Sequence, residues 1–130
     1  MKTMWTFKTR NFKVEWRIER DAFDGSYMDA ELAAECKQKI RSGEWACFTS
    51  EIRVTFNGRE LAVEYLGNSV YANPAEFRDH FGMRKNNHGS YFSDMVREAV
   101  RKARMEFERT RDRLEKEFNA LSSIHVSQRG

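Results

Sequence analysis

The sequence predicts an α+β fold: an antiparallel four-stranded sheet in ββαββαα order, with helices on one face and a long C-terminal helix. Three observations carry this. Residues 12–19 and 50–66 alternate apolar and polar side chains with a period of two. The dipeptide Asn57-Gly58 divides the second of these stretches into the arms of a hairpin. Finally, Phe92, Val96, Val100, Ala103, Phe107, Leu114, Phe118 and Leu121 recur at helical spacing over about thirty residues. Strands with one polar face need covering on one side only, which an antiparallel sheet under helices provides.

The elements follow in order. Phe12, Val14, Trp16 and Ile18 face one side of a strand, and Lys13, Glu15, Arg17 and Glu19 the other. Trp5 and Phe7 alternate at odd positions instead, so the parity changes across residues 9–11. A tight hairpin or a bulge in one long strand would explain the change, and the hairpin is the preferred reading. Ser26, with Asp29 three residues on, is the expected N-cap of a helix of about four turns. Leu32, Ala33, Cys36 and Ile40 form its apolar stripe, and Gly43 is its C-terminal glycine. In the second hairpin, a two-residue turn at Asn57-Gly58 sets Val54 opposite Leu61 and Ile52 opposite Val63. Asn73 as N-cap, Pro74 in the first helical position and Glu76 in the third begin a short helix. Phe77 and Phe81 pack inward from it, and Gly82 ends it. The loop 82–90 leads into the last helix, expected from about residue 90 to residue 121 at roughly 1.5 Å per residue. That helix is longer than the domain is wide. It either folds back at Thr110-Arg111 to cover one sheet, or overhangs and offers its end to another surface.

A chain of 130 residues is the size of one domain, expected to span residues 1–122 with a frayed tail at 123–130. Aromatic residues at 13% exclude a disordered chain. The balance of 23 basic to 20 acidic residues leaves +3, a weak attraction for anions. Residues 1–20 contain no continuous apolar run, so neither a signal peptide nor a membrane span is expected, and a cytoplasmic location follows. Cys36 and Cys47 are accordingly read as reduced, buried thiols.

No phosphate-binding glycine loop, nucleophile elbow or zinc-protease motif occurs. His80, His88 and His125 are scattered, so neither enzymatic activity, a cofactor nor a metal site is expected. Asp21, Asp24, Asp29, Glu31 and Glu35 lack the spacing of a calcium loop and read as helix caps and a solvated face, or as an acidic patch for a basic partner. Arg97, Arg101 and Arg104 share one helix face, and residues 97–104 hold four bases and one acid. With Arg84, Lys85, Asn86, Asn87 and His88 in the preceding loop, they form a candidate contact surface for protein or for a phosphate backbone. A plain polar connector is the bland alternative. Lys13, Glu15, Arg17, Arg53 and Arg59 are further candidates on the open strand face. Phe107, Leu114, Phe118 and Leu121 are candidate dimer contacts.

The stretches "GNSVYANPAEFRDHFG" and "GSYFSDMVREAVRKAR" resemble small proteins of bacteriophages and mobile elements of proteobacteria, a group that includes anti-CRISPR and other anti-defence proteins. The resemblance covers roughly residues 45–105. It implies a small domain that binds a bacterial defence complex and blocks its access to nucleic acid. It transfers no functional residue. Many such inhibitors are acidic DNA mimics, whereas this chain is net basic, which leaves steric or allosteric blocking. The function expected is therefore that of a non-enzymatic interaction protein. The alternative is a small basic nucleic-acid-binding accessory protein.

Overall fold

The structure, a computed structural model, describes residues 1–79 and 91–124. The expectations for Phe81, Gly82, the 82–90 loop and most of the tail fall outside the described residues. The elements are β1 (Lys2–Lys8), β2 (Phe12–Arg20), α1 (Ala30–Ser42), β3 (Ala46–Phe56), β4 (Arg59–Tyr71), α2 (Glu76–Asp79) and α3 (Tyr91–Ser122). The strands form one antiparallel sheet in the order β1-β2-β3-β4. This is the α+β architecture that the periodicities predict.

The parity change near residue 10 is a hairpin: the Thr9 N–H donates to the Phe12 carbonyl at 2.8 Å. A bulge between Thr3 and Trp5 brings Trp5 opposite Trp16 and Phe7 opposite Val14, so the odd and even apolar sets share one face. β2 and β3 pair Val14 with Val54 and Trp16 with Ile52. That face is covered by α2 and α3. Its core holds Trp16, Phe48, Ile52, Phe77 and Phe92, with Ala99 and Ala103 letting α3 approach closely. The Trp16 ring lies 5.6 Å from Phe77 and 5.4 Å from Phe92, and its indole N–H donates to the Ser50 hydroxyl at 3.0 Å.

The Asn57-Gly58 turn forms as expected, with Asn57 at φ 47° and Gly58 at φ 85°, and Phe56 opposite Arg59. The register beyond it does not. A bulge between Val54 and Thr55 makes Leu61 an additional residue, so Val54 faces Ala62 and Ile52 faces Glu64. The shift places small Ala62 beneath α3 while Leu61 still packs on the core. Glu64 is aimed at α3, where Lys102 meets it at 2.8 Å. Apart from the two neighbouring residues, no heavy atom would lie within 4 Å of a side-chain carbon at Gly58, so strain there is of the backbone. Gly58→Val is expected to cost about 1–2 kcal/mol for left-handed geometry, read as a lower urea midpoint at unchanged slope.

The N-cap of α1 is Asp29 rather than Ser26: its carboxylate accepts from Leu32 N–H at 2.8 Å. Ser26 instead donates its N–H to Asp24 at 3.0 Å, inside the loop. Gly43 ends the helix in the left-handed region, as its position predicts. Leu32 is exposed, and Cys36 is the buried residue of the stripe. Both cysteines are free and buried. Burial first, then the charges of Asp21 and Cys36, push the Cys47 thiol above its ordinary pKa. Asn73 caps the approach to α2 by accepting from Ala75 N–H at 3.1 Å.

α3 is one continuous helix of 32 residues, about 48 Å long. The fold-back at Thr110-Arg111 does not occur. Neither glycine nor proline interrupts the sequence there, and Thr110 bonds its hydroxyl to the Glu106 carbonyl at 3.0 Å within the helix. Backbone bonds from Ser123 N–H to the Asn119 carbonyl and from Ile124 N–H to the Leu121 carbonyl carry the hydrogen-bonded chain two residues into the predicted tail. No helix among the described residues is long and apolar enough to cross a membrane.

Candidate functional site

Three surfaces contain the candidate residues, and their chemistry differs. The first is the polar face of α3. Arg97, Arg101 and Arg104 are exposed on one side of the helix, as their spacing predicts. Yet Arg97 lies 3.3 Å from Asp94, and Arg101 holds Glu98 with its Nε at 2.9 Å. The hydrogen bond between them raises the Arg101 pKa and lowers that of Glu98. Lys102 is neutralised by Glu64 of β4. Arg104 makes no ion pair among the described residues. The basic excess at 97–104 is thus largely offset by acids lying outside that window. Arg84, Lys85, Asn86, Asn87 and His88 are outside the described residues.

The second surface is the open face of the sheet, where alternation exposes charged residues. Arg17 reaches Glu51 at 2.6 Å, Arg53 reaches it at 3.4 Å, and Lys13 lies 3.8 Å from Glu15. Arg53 Nε is 3.4 Å from Glu60 but lacks the alignment of a hydrogen bond, so that contact is electrostatic only. Glu51 is 2% exposed beneath these side chains. Burial pushes its pKa up, and hydrogen bonds from Arg17 and Tyr65 with the Arg53 charge outweigh that, leaving it below the usual value. At the far end of the same sheet, Asp21 accepts from the Asn68 N–H at 2.9 Å and the Thr49 hydroxyl at 3.0 Å, which lowers its pKa. Asn68, at φ 53°, in turn accepts from Asp24 N–H at 2.8 Å. Asp21, Asp24 and Asp29 therefore tie the β2–α1 connection together. These networks hold the fold; Glu19 and Arg59, both exposed, make no ion pair among the described residues.

The third surface is apolar. Phe107 packs on Phe12 at 5.8 Å and Phe56 at 5.3 Å between ring centres, at the end of the sheet formed by both hairpin turns. Beyond it α3 leaves the sheet, and every residue from 111 to 124 is exposed. Leu114 is 60% exposed, Phe118 66%, Leu121 66% and Ile124 62%. Ile124 continues the stripe three residues after Leu121, a spacing that was legible in a segment read as frayed tail. At the root of the projection lies a groove of about 480 Å³, walled by Phe7, Phe12, Val100, Phe107 and the stem of Arg104. Phe7, exposed at its rim, is a site residue that the alternation pattern alone assigns to the core.

The fold and this surface define a class: an antiparallel sheet with one covered face and a helix that projects beyond it carrying an unpartnered apolar stripe. Comparison with models of protein families, with curated proteins and with solved structures found no match to the chain.

Proposed function

We propose that this chain is a non-enzymatic interaction protein that works through the projecting half of α3 and the groove at its root. One observation carries the reading: residues 111–122 form helix and every residue from 111 to 124 is exposed, yet Leu114, Phe118 and Leu121 line one side of the helix and Ile124 follows at the same spacing. Helices in proteins derive most of their stability from packing an apolar face, and an apolar stripe of this extent marks an interaction site. The sharper form of the proposal is the one that the sequence resemblance suggests, an inhibitor of a bacterial defence complex acting in the host cytoplasm. Nucleic-acid contact through Arg97 and Arg101 is less well supported, because both already hold acids within the helix.

The test is a comparison of two baits in nuclease-treated bacterial lysate, washed at about 0.5 M salt, where phosphate contacts are heavily weakened. The wild-type chain is expected to retain protein that a Leu114→Asp/Phe118→Asp variant releases. Identical retention by both, or bare bait here with nucleic acid recovered only from untreated lysate at low salt, would count against the helix end as the contact surface for a different protein.

A further inference from the structure

We propose that the projecting end of α3 is covered by a second copy of the chain, the two helices running antiparallel and crossing near Leu114. This rests on the reading of the helix end as a protein-contact surface and names the partner. The argument is one of charge. At 100° per residue, Arg111 and Glu115 fall on one flank of the stripe and Arg113 and Glu117 on the other. Asp112 and Lys116 point away from it.

A two-fold axis that reverses one helix keeps each flank facing its own counterpart. Around Leu114, Arg111 then meets Glu115 of the second copy, and Arg113 meets Glu117. Each occurs twice, making four attractive contacts in the dimer, against two like-charge contacts farther out on the flanks, Arg113 with its counterpart and Glu115 with its counterpart. A parallel pair would set each flank against the other one: Arg111 then meets Arg113 and Glu115 meets Glu117, four repulsive contacts in the dimer, against two attractive ones between Arg113 and Glu115 farther out on the flanks.

Within one chain these groups are available. Arg113, Glu115 and Glu117 make no ion pair among the described residues, and Arg111 reaches only its neighbour Asp112, at 3.4 Å. Arg111 with Glu115 and Arg113 with Glu117 are four apart on the same helix, but in the order that runs against the helix dipole and favours pairing least. The groove completes the fit. Leu121 stands as far beyond Leu114 as Phe107 stands before it, seven residues or about 10 Å. Antiparallel packing therefore brings Phe118 and Leu121 of the second copy to the level of the groove. Phe12 and Phe56 pack on part of Phe107 and leave it 40% exposed, so those side chains can enter the groove beside it.

Sedimentation equilibrium of the full chain at high micromolar concentration tests the proposal. The expected mass is twice 15.4 kDa. Leu114→Asp/Phe118→Asp should sediment as a monomer whose thermal unfolding matches that of wild type diluted until the dimer dissociates, since both residues are exposed in the single chain. The decisive variant is Arg111→Glu/Glu117→Arg, which leaves net charge unaltered. In the antiparallel pair it turns all four contacts repulsive, and dimer dissociation should rise by about tenfold or more. In a parallel pair it turns them attractive, so a tighter dimer would overturn the orientation. A dimer that survives Leu114→Asp/Phe118→Asp would overturn the surface. A monomeric wild type would overturn the second copy as partner. If that monomer still retains protein from lysate through Leu114 and Phe118, the contact-surface reading stands alone; if it does not, both fall.

Discussion

Trp16→Ala is expected to remove about 3–5 kcal/mol of stability, the cost of emptying a large aromatic site in a packed core. Trp16 is 1% exposed and joins three elements, since its ring meets Phe77 of α2 and Phe92 of α3 from the centre of the sheet. The loss is therefore concentrated where helices and sheet dock. Its second component is polar: the Ser50 hydroxyl, 0% exposed, loses its 3.0 Å donor. Trp16→Phe separates the two, keeping much of the volume while orphaning Ser50, and should cost about 1–3 kcal/mol. Urea unfolding followed by far-UV dichroism measures both. A Trp16→Ala protein within 1 kcal/mol of wild type, by the same size rule, would mean that α2 and α3 do not dock around this ring.

The next largest effect is expected at Glu51. Its carboxylate is buried on the open side of the sheet and held by Arg17, Arg53 and Tyr65. Glu51→Gln removes the carboxylate paired with Arg17 and one of the two beside Arg53, which keeps Glu60 at 3.4 Å. Both guanidinium groups are partly exposed and can turn to water, so the loss is set at about 1–3 kcal/mol rather than the larger figure for a fully buried pair. The pH dependence has a definite sign. Glu51 and Asp21 both have folded-state pKa values below their unfolded values. Each contributes stability that is complete above the unfolded value and is lost as pH falls through the folded one. Wild type should therefore lose stability progressively below about pH 4. The gap between wild type and Glu51→Gln should narrow over the same window, because the wild-type carboxylate is itself being protonated. A gap of constant size down to acid pH would show that the cost of the variant is steric.

Much of the architecture was legible because it is local. The period-two runs name the strands, the Asn57-Gly58 dipeptide demands left-handed geometry that few other pairs accept, and Asn73-Pro74 starts α2. The candidate site was half legible. The stripe from Phe107 to Leu121 stands in the periodicity, but the groove beside it depends on Phe7 and Phe12, about a hundred residues away in the chain. The arginine face was overestimated for a similar reason. A count over residues 97–104 leaves out Asp94, one turn earlier, and Glu64, on a different element.

What remained for the folded chain to decide was register and company. A bulge adds one residue to one strand, and nothing in the alternation around Leu61 distinguishes the paired residue from the extra one until α3 lies across the sheet and Lys102 is there to meet Glu64. Glu51 reads as an ordinary polar position in its strand, and becomes a buried carboxylate only because Arg17 and Arg53 converge on it from neighbouring positions of the sheet. The end of α3 is the same case at larger scale. Its residues specify a helix with an apolar side whether that side meets its own sheet or another molecule. The outcome turns on length: the sheet ends at Phe12 and Phe56 while the helix, unbroken by glycine or proline, continues past Phe107 into solvent.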